Sequence, residues 1–65
     1  MTPARAWIPQ ERGKGEVLTE NGTRIAEYWY QLGEWWWMVG DGSPNTAQTP
    51  EMAKGYIETA LKVKP

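Results

Sequence analysis

The sequence predicts an α+β fold, a three-stranded antiparallel sheet in meander order with one C-terminal helix packed on one of its faces. Three observations predict it. Asn21-Gly22 separates two strand-like runs, Gly33 marks a second turn before the run Glu34 to Val39, and apolar residues recur at helical spacing after Thr49-Pro50.

Residues 1–15 contain two prolines and two glycines with no apolar period. They read as an irregular arm pinned by Trp7 and Ile8, with Trp7 expected against the edge of the sheet or helix. Glu16 to Glu20 form the first expected strand. Asn21-Gly22 follows as a two-residue type I′ turn, which needs positive φ at both positions. The second strand, Thr23 to Tyr30, is rich in β-branched and aromatic residues.

The turn at Gly33 sets the register. A two-residue Leu32-Gly33 turn would hold Leu32 at positive φ, a costly position for leucine. A three-residue loop, Gln31-Leu32-Gly33, needs the left-handed conformation only at Gly33, and it is the preferred reading. It pairs Trp29 with Trp35 and Tyr28 with Trp36. Leu18, Ile25, Trp29, Trp35, Trp37 and Val39 then form the expected core face. Thr19, Arg24, Ala26, Tyr28, Tyr30, Glu34 and Trp36 fall on the expected open face. The two-residue alternative swaps the second strand and puts Trp29 outside in place of the tyrosines; Trp36 points outward in both registers.

Residues 40–48 read as a turn-rich loop. Thr49 caps the expected helix, with Pro50 at its first position and Glu51 near its positive end. Ala53, Ile57, Ala60 and Leu61 supply the apolar stripe, flanked by Met52 and Tyr56. Gly55, costly inside a helix, is expected to make room for a tryptophan ring. The organisation is an arm over 1–15, one β-β-β-α domain over 16–62 and a tail over 63–65.

Composition bounds the function. Sixty-five residues allow one domain, burying only about 60% of its unfolded surface. Five tryptophans and three tyrosines must supply much of the core. Cysteine and histidine are absent. That excludes disulfides, thiolate or imidazole metal sites, and catalysis by those residues. No metal or cofactor is expected, and the chain reads as non-enzymatic. No apolar run is long enough to span a membrane, and the N-terminus shows no signal core, so a cytoplasmic protein is expected. Charge is uneven: +2 over residues 1–15, −5 over 16–51 and +2 over 52–65. An acidic aromatic middle disfavours nucleic acid and suits a protein partner with a basic surface.

Several motifs reduce to ordinary structure. Asn21-Gly22-Thr23 matches a glycosylation acceptor but serves as a turn. Asp41 to Asn45 imitates a calcium loop, yet Thr46 stands where glycine is required and Met52 where glutamate is. Glu27 and Glu34 lack the apolar cleft that separates the roles of an acid/base pair. The run Trp35-Trp36-Trp37 is different, because alternation sends at least one ring away from the core. Trp36, Tyr28 and Tyr30 are the expected partner-binding anchors, flanked by Glu27, Glu34 and Arg24. A single-strand nucleic-acid binder stacking bases on the same aromatics is one alternative. A homodimer or higher homo-oligomer is the other.

The aromatic hairpin AEYWYQLGEWWWMVGDG and the helix TPEMAKGYIETAL, together spanning much of residues 16–62, resemble small accessory proteins of bacteriophages and other mobile elements. That resemblance implies a non-catalytic inhibitor of host machinery, of the anti-CRISPR kind, acting in the bacterial cytoplasm on a nucleic-acid-handling or CRISPR effector complex. The element order also resembles AP2-type and integrase arm-binding DNA-binding domains, whose sheets carry arginine and lysine where this one carries Arg24 among five carboxylates. The stretch Ala53-Lys54 to Ala60-Leu61 is similar to a helix of double-stranded RNA-binding domains; their first helix has no counterpart in this sequence.

Overall fold

A computed structural model describes residues 4–10 and 14–63. The chain forms β1 (Arg5–Pro9), β2 (Gly15–Glu20), β3 (Thr23–Gln31), β4 (Glu34–Val39), β5 (Asn45–Ala47) and α1 (Pro50–Val63). The strands make one antiparallel sheet in the order β1-β2-β3-β4-β5. The α+β class and the C-terminal helix are as expected; the sheet has five strands, not three. Residues 1–3, 11–13 and 64–65, parts of the expected arm and tail, lie outside the described residues.

The expected arm contributes a strand. Asn21 donates its backbone N–H to the Ala4 carbonyl, and Gln10 donates to Gly15. Antiparallel alternation then turns the backbone groups of Ala4, Ala6, Ile8 and Gln10 toward β2 and those of Arg5, Trp7 and Pro9 outward. Pro9, which has no N–H to offer, sits where none is needed. The fifth strand is a three-residue return of the expected loop, pairing Asn45 with Trp37 and Ala47 with Trp35.

The first hairpin turns at Asn21 and Gly22 with φ of 53° and 84°, the type I′ signature. The second turn corrects the expected register. It has two residues, Leu32 at φ 54° and Gly33 at φ 78°. Gln31 therefore opposes Glu34, Tyr30 opposes Trp35, Trp29 opposes Trp36 and Tyr28 opposes Trp37. The local strain at Leu32 is outweighed by what this register gathers on the helix side. Leu18, Ala26, Tyr28, Ala53 and Ile57 are buried there. Trp7, Ile25, Trp35, Trp37, Val39, Ala47 and Leu61 pack around them. Trp29 is thus not a core residue, and Tyr28 is. Ile25 reaches the core because the ladder shifts between Leu18 and Thr19, leaving it as the extra residue of a bulge.

Thr49 caps α1, its hydroxyl accepting from the Met52 N–H at 3.1 Å. The Trp37 and Tyr56 rings join helix to sheet with centroids 5.5 Å apart. Gly55 does not make room for a tryptophan: a Cβ there meets nothing within 4 Å. With no space to fill, Gly55→Ala should stabilise the fold by about 1 kcal/mol through helix propensity alone. A urea midpoint unmoved or lowered by the substitution would contradict this.

Candidate functional site

The sheet has two unlike faces. On the helix side the Trp37 Nε1–H is buried without a hydrogen-bond partner, but the polar groups around Tyr28 are occupied. The Tyr28 hydroxyl donates to Glu16 Oε1 at 2.5 Å, and Lys54 Nζ reaches the same oxygen at 2.8 Å. The Lys54 ammonium also lies 5.1 Å from the Trp7 ring centroid and 5.9 Å from that of Tyr28. Trp7 meets Tyr28 edge-on at 5.6 Å. The hydrogen bonds from Lys54 and then Tyr28 hold the Glu16 carboxyl below its ordinary range, against some desolvation. Burial, followed by the bond to Glu16, pushes the Tyr28 hydroxyl up.

A carboxyl depressed by folding contributes stability above its ordinary value of 4.5 and loses it as pH falls through the lower folded value. Glu16→Gln should therefore flatten the acid limb of stability against pH. Denaturant midpoints measured below pH 4.5 would show it; an acid limb as steep as that of the wild type would contradict the network.

The opposite face has no element over it among the described residues. Cross-strand pairing lays its side chains out in rows. One row runs Ile8, Val17, Glu27, Met38 and the next runs Gly15, Trp29, Trp36, Thr46. Trp29 and Trp36 stand directly opposite one another, both half-buried. The Trp29 Nε1–H donates to the Gln31 side-chain oxygen at 3.0 Å, and the Trp36 Nε1–H donates to the Gln31 carbonyl at 3.1 Å. Both indole donors thus end on one residue. The rings are oriented by it and offer a partner apolar surface and π faces without a free N–H. Glu27 is neutralised by Arg24 at 3.0 Å. Glu34, two residues from Trp36 and on the same face, is exposed.

Of the residues singled out from the sequence, Trp36, Glu27 and Glu34 share this open face, and Arg24 joins them through its ion pair. Tyr28 does not: it is 5% exposed beneath the helix, because the shorter turn reverses the side of β3 that meets solvent. Tyr30 follows it to the helix side but lies at the hairpin end, 45% exposed. Its ring lies against Trp35, and Lys14 sits over it at 5.5 Å. Sequence reasoning on the longer turn left out Trp29 and Val17, while strand alternation alone puts Met38 on the Trp36 face; the two-residue alternative carried the signal for Trp29.

A concavity of about 360 Å³ lies beside Leu61 of α1, with Arg5, Glu20 and Arg24 around Ile25, Val39 and Leu61. Its charged groups are already paired, Arg5 with Glu20 at 2.8 Å and Arg24 with Glu27. The open face remains the better candidate. Among the described residues no group of three or more Asp, Glu, His or Cys is placed to hold a metal, and no helix is long and apolar enough to cross a membrane. Comparison of the chain with protein-family models, curated proteins and solved structures finds no match.

Proposed function

We propose that this protein is a small non-catalytic binding module that engages another protein through the open face of its sheet, with Trp29 and Trp36 as anchors. The observation that carries the reading is the paired indoles on an uncovered apolar face, both fixed by Gln31. Interfaces draw most of their energy from a few such aromatic anchors, and rings already held in place lose little entropy on binding. The flanking charge favours a partner with a basic surface, of the kind that holds nucleic acid, and a protein that occupies such a surface would inhibit or modulate its owner. Direct binding of nucleic acid is disfavoured by cation placement. Lys14 and Lys54 lie over helix-side aromatics, and Arg24 is paired.

Trp36→Ala is expected to keep the fold, since the core lies on the other side of the sheet. It should weaken a partner captured on the wild-type protein at least about 30-fold, the equivalent of about 2 kcal/mol. Full affinity in the variant would refute the assignment. Tryptophan quenching by oligonucleotides at low salt would redirect it to single-strand binding, and sedimentation as a dimer would redirect it to self-association.

A further inference from the structure

We propose that the β3–β4 turn is the part of this surface that enters the partner, with Leu32 as the inserted side chain and an apolar pocket rimmed by lysine or arginine, on a protein, as its receptor. The inference rests on the reading of the open face as a recognition surface and names the element that leads it.

Leu32 is anomalous twice over. It is 87% exposed, and it holds a left-handed backbone at φ 54° that disfavours any residue with a branched side chain. The chain itself contains the unstrained solution. Its other two-residue turn has closely similar φ angles, 53° and 84°, with Asn21 and Gly22 in place of Leu32 and Gly33. Nothing inside the fold rewards leucine at the equivalent position, since an 87% exposed side chain packs against almost nothing. Core packing repays the left-handed turn but not the choice of leucine in it, and a strained residue choice with no internal return points to a use outside the fold.

The surroundings fit insertion. Gln31, immediately before Leu32, receives both indole N–H groups of the open face, so the base of the turn is braced. Tyr30, 45% exposed, flanks the tip on the helix side. Charge specifies the receptor. Glu16, Glu20 and Glu27 each have a cation within ion-pair distance, whereas Glu34, two residues beyond Leu32, has none among the described residues. An apolar tip followed by an uncompensated, exposed carboxylate matches an apolar pocket with a basic rim.

The test uses the full chain and a displayed library of random peptides, selected on the wild-type protein and then measured against Leu32→Asn and Trp36→Ala. Leu32→Asn should melt about 4 °C higher than the wild type, because asparagine suits the turn, yet bind the selected peptides at least tenfold more weakly. The peptides should combine lysine or arginine with aromatic or aliphatic residues. Peptides that tolerate Leu32→Asn but not Trp36→Ala would overturn the tip while leaving the face. Peptides indifferent to both, or no selected peptide at all, would overturn both. Sedimentation of the wild type as a dimer that Leu32→Asn dissociates would replace the proposed receptor with a second copy of the chain.

Discussion

Gly15→Ala should abolish cooperative folding or come close to it. Gly15 adopts φ +124°, and a Cβ built there would lie 2.2 Å from the Tyr28 carbonyl oxygen, 2.8 Å from Trp29 Cα and 2.9 Å from the Tyr28 carbonyl carbon. All three are backbone atoms of the neighbouring strand, so no side chain can swing aside to relieve the overlap. Forcing atoms into packed structure costs about 1–3 kcal/mol, and a residue at an unsuitable φ adds about 1–3 kcal/mol. Their sum is comparable to the whole stability expected of a domain this size, about 3–10 kcal/mol. Gly22→Ala is the control. It also sits at positive φ, 84°, but meets nothing within 4 Å, and should lose only the strain. Urea unfolding of the pair separates the two effects, and similar midpoints for both variants would show that the close approach of β2 to β3 is not a constraint.

Tyr28→Ala should be the most damaging change on the helix face, at about 3–5 kcal/mol. The ring is 5% exposed and meets Trp7 at 5.6 Å and Trp35 at 5.9 Å. Its hydroxyl, Glu16 and Lys54 form one polar network between sheet and helix. Tyr28→Phe keeps the ring and removes one hydrogen bond to a charged group, about 1.5–3 kcal/mol. Thermal melts of the two variants should therefore be clearly ordered, alanine far below phenylalanine. Near-ultraviolet circular dichroism should lose much of its intensity in the alanine variant alone. A Tyr28→Ala protein that melts like the phenylalanine variant would mean that the aromatic cluster adds little beyond the hydroxyl.

What could be read from the sequence was whatever local chemistry decides. Asn21-Gly22 announced its turn, and Thr49, Pro50 and the stripe through Ala53 and Ile57 announced the helix. The two outer strands were hidden for separate reasons. Pro9 lowers the strand signal of the arm, and only the register shows that its missing N–H faces away from β2. Asn45–Ala47 is too short to carry a period of two. The second turn failed differently. Local preference argued against leucine at positive φ, and the burial of Tyr28 with Trp35 and Trp37 prevailed over it. One residue of slip exchanged the faces of β3, so the site reading kept Trp36, Glu27 and Glu34, lost Tyr28 and left Trp29 to be found. Conflict between local cost and global packing was concentrated at Leu32, which is also where the functional reading becomes most specific.

The strand order of the sheet is the order of the chain, and this bears on how quickly the structure is found. Every ladder joins sequence neighbours, so loop closure at each step spans only a few residues and the entropy lost before contacts form is small. Each hairpin can zip from its own turn, on a scale of about 1–10 μs for an isolated hairpin. The helix then docks on a sheet whose neighbouring strands, β3 and β4, are already paired. Pairing confined to sequence neighbours favours faster folding than a sheet with crossovers, and limits how long Trp7, Trp35 and Trp37 are exposed to other chains before the helix side closes over them.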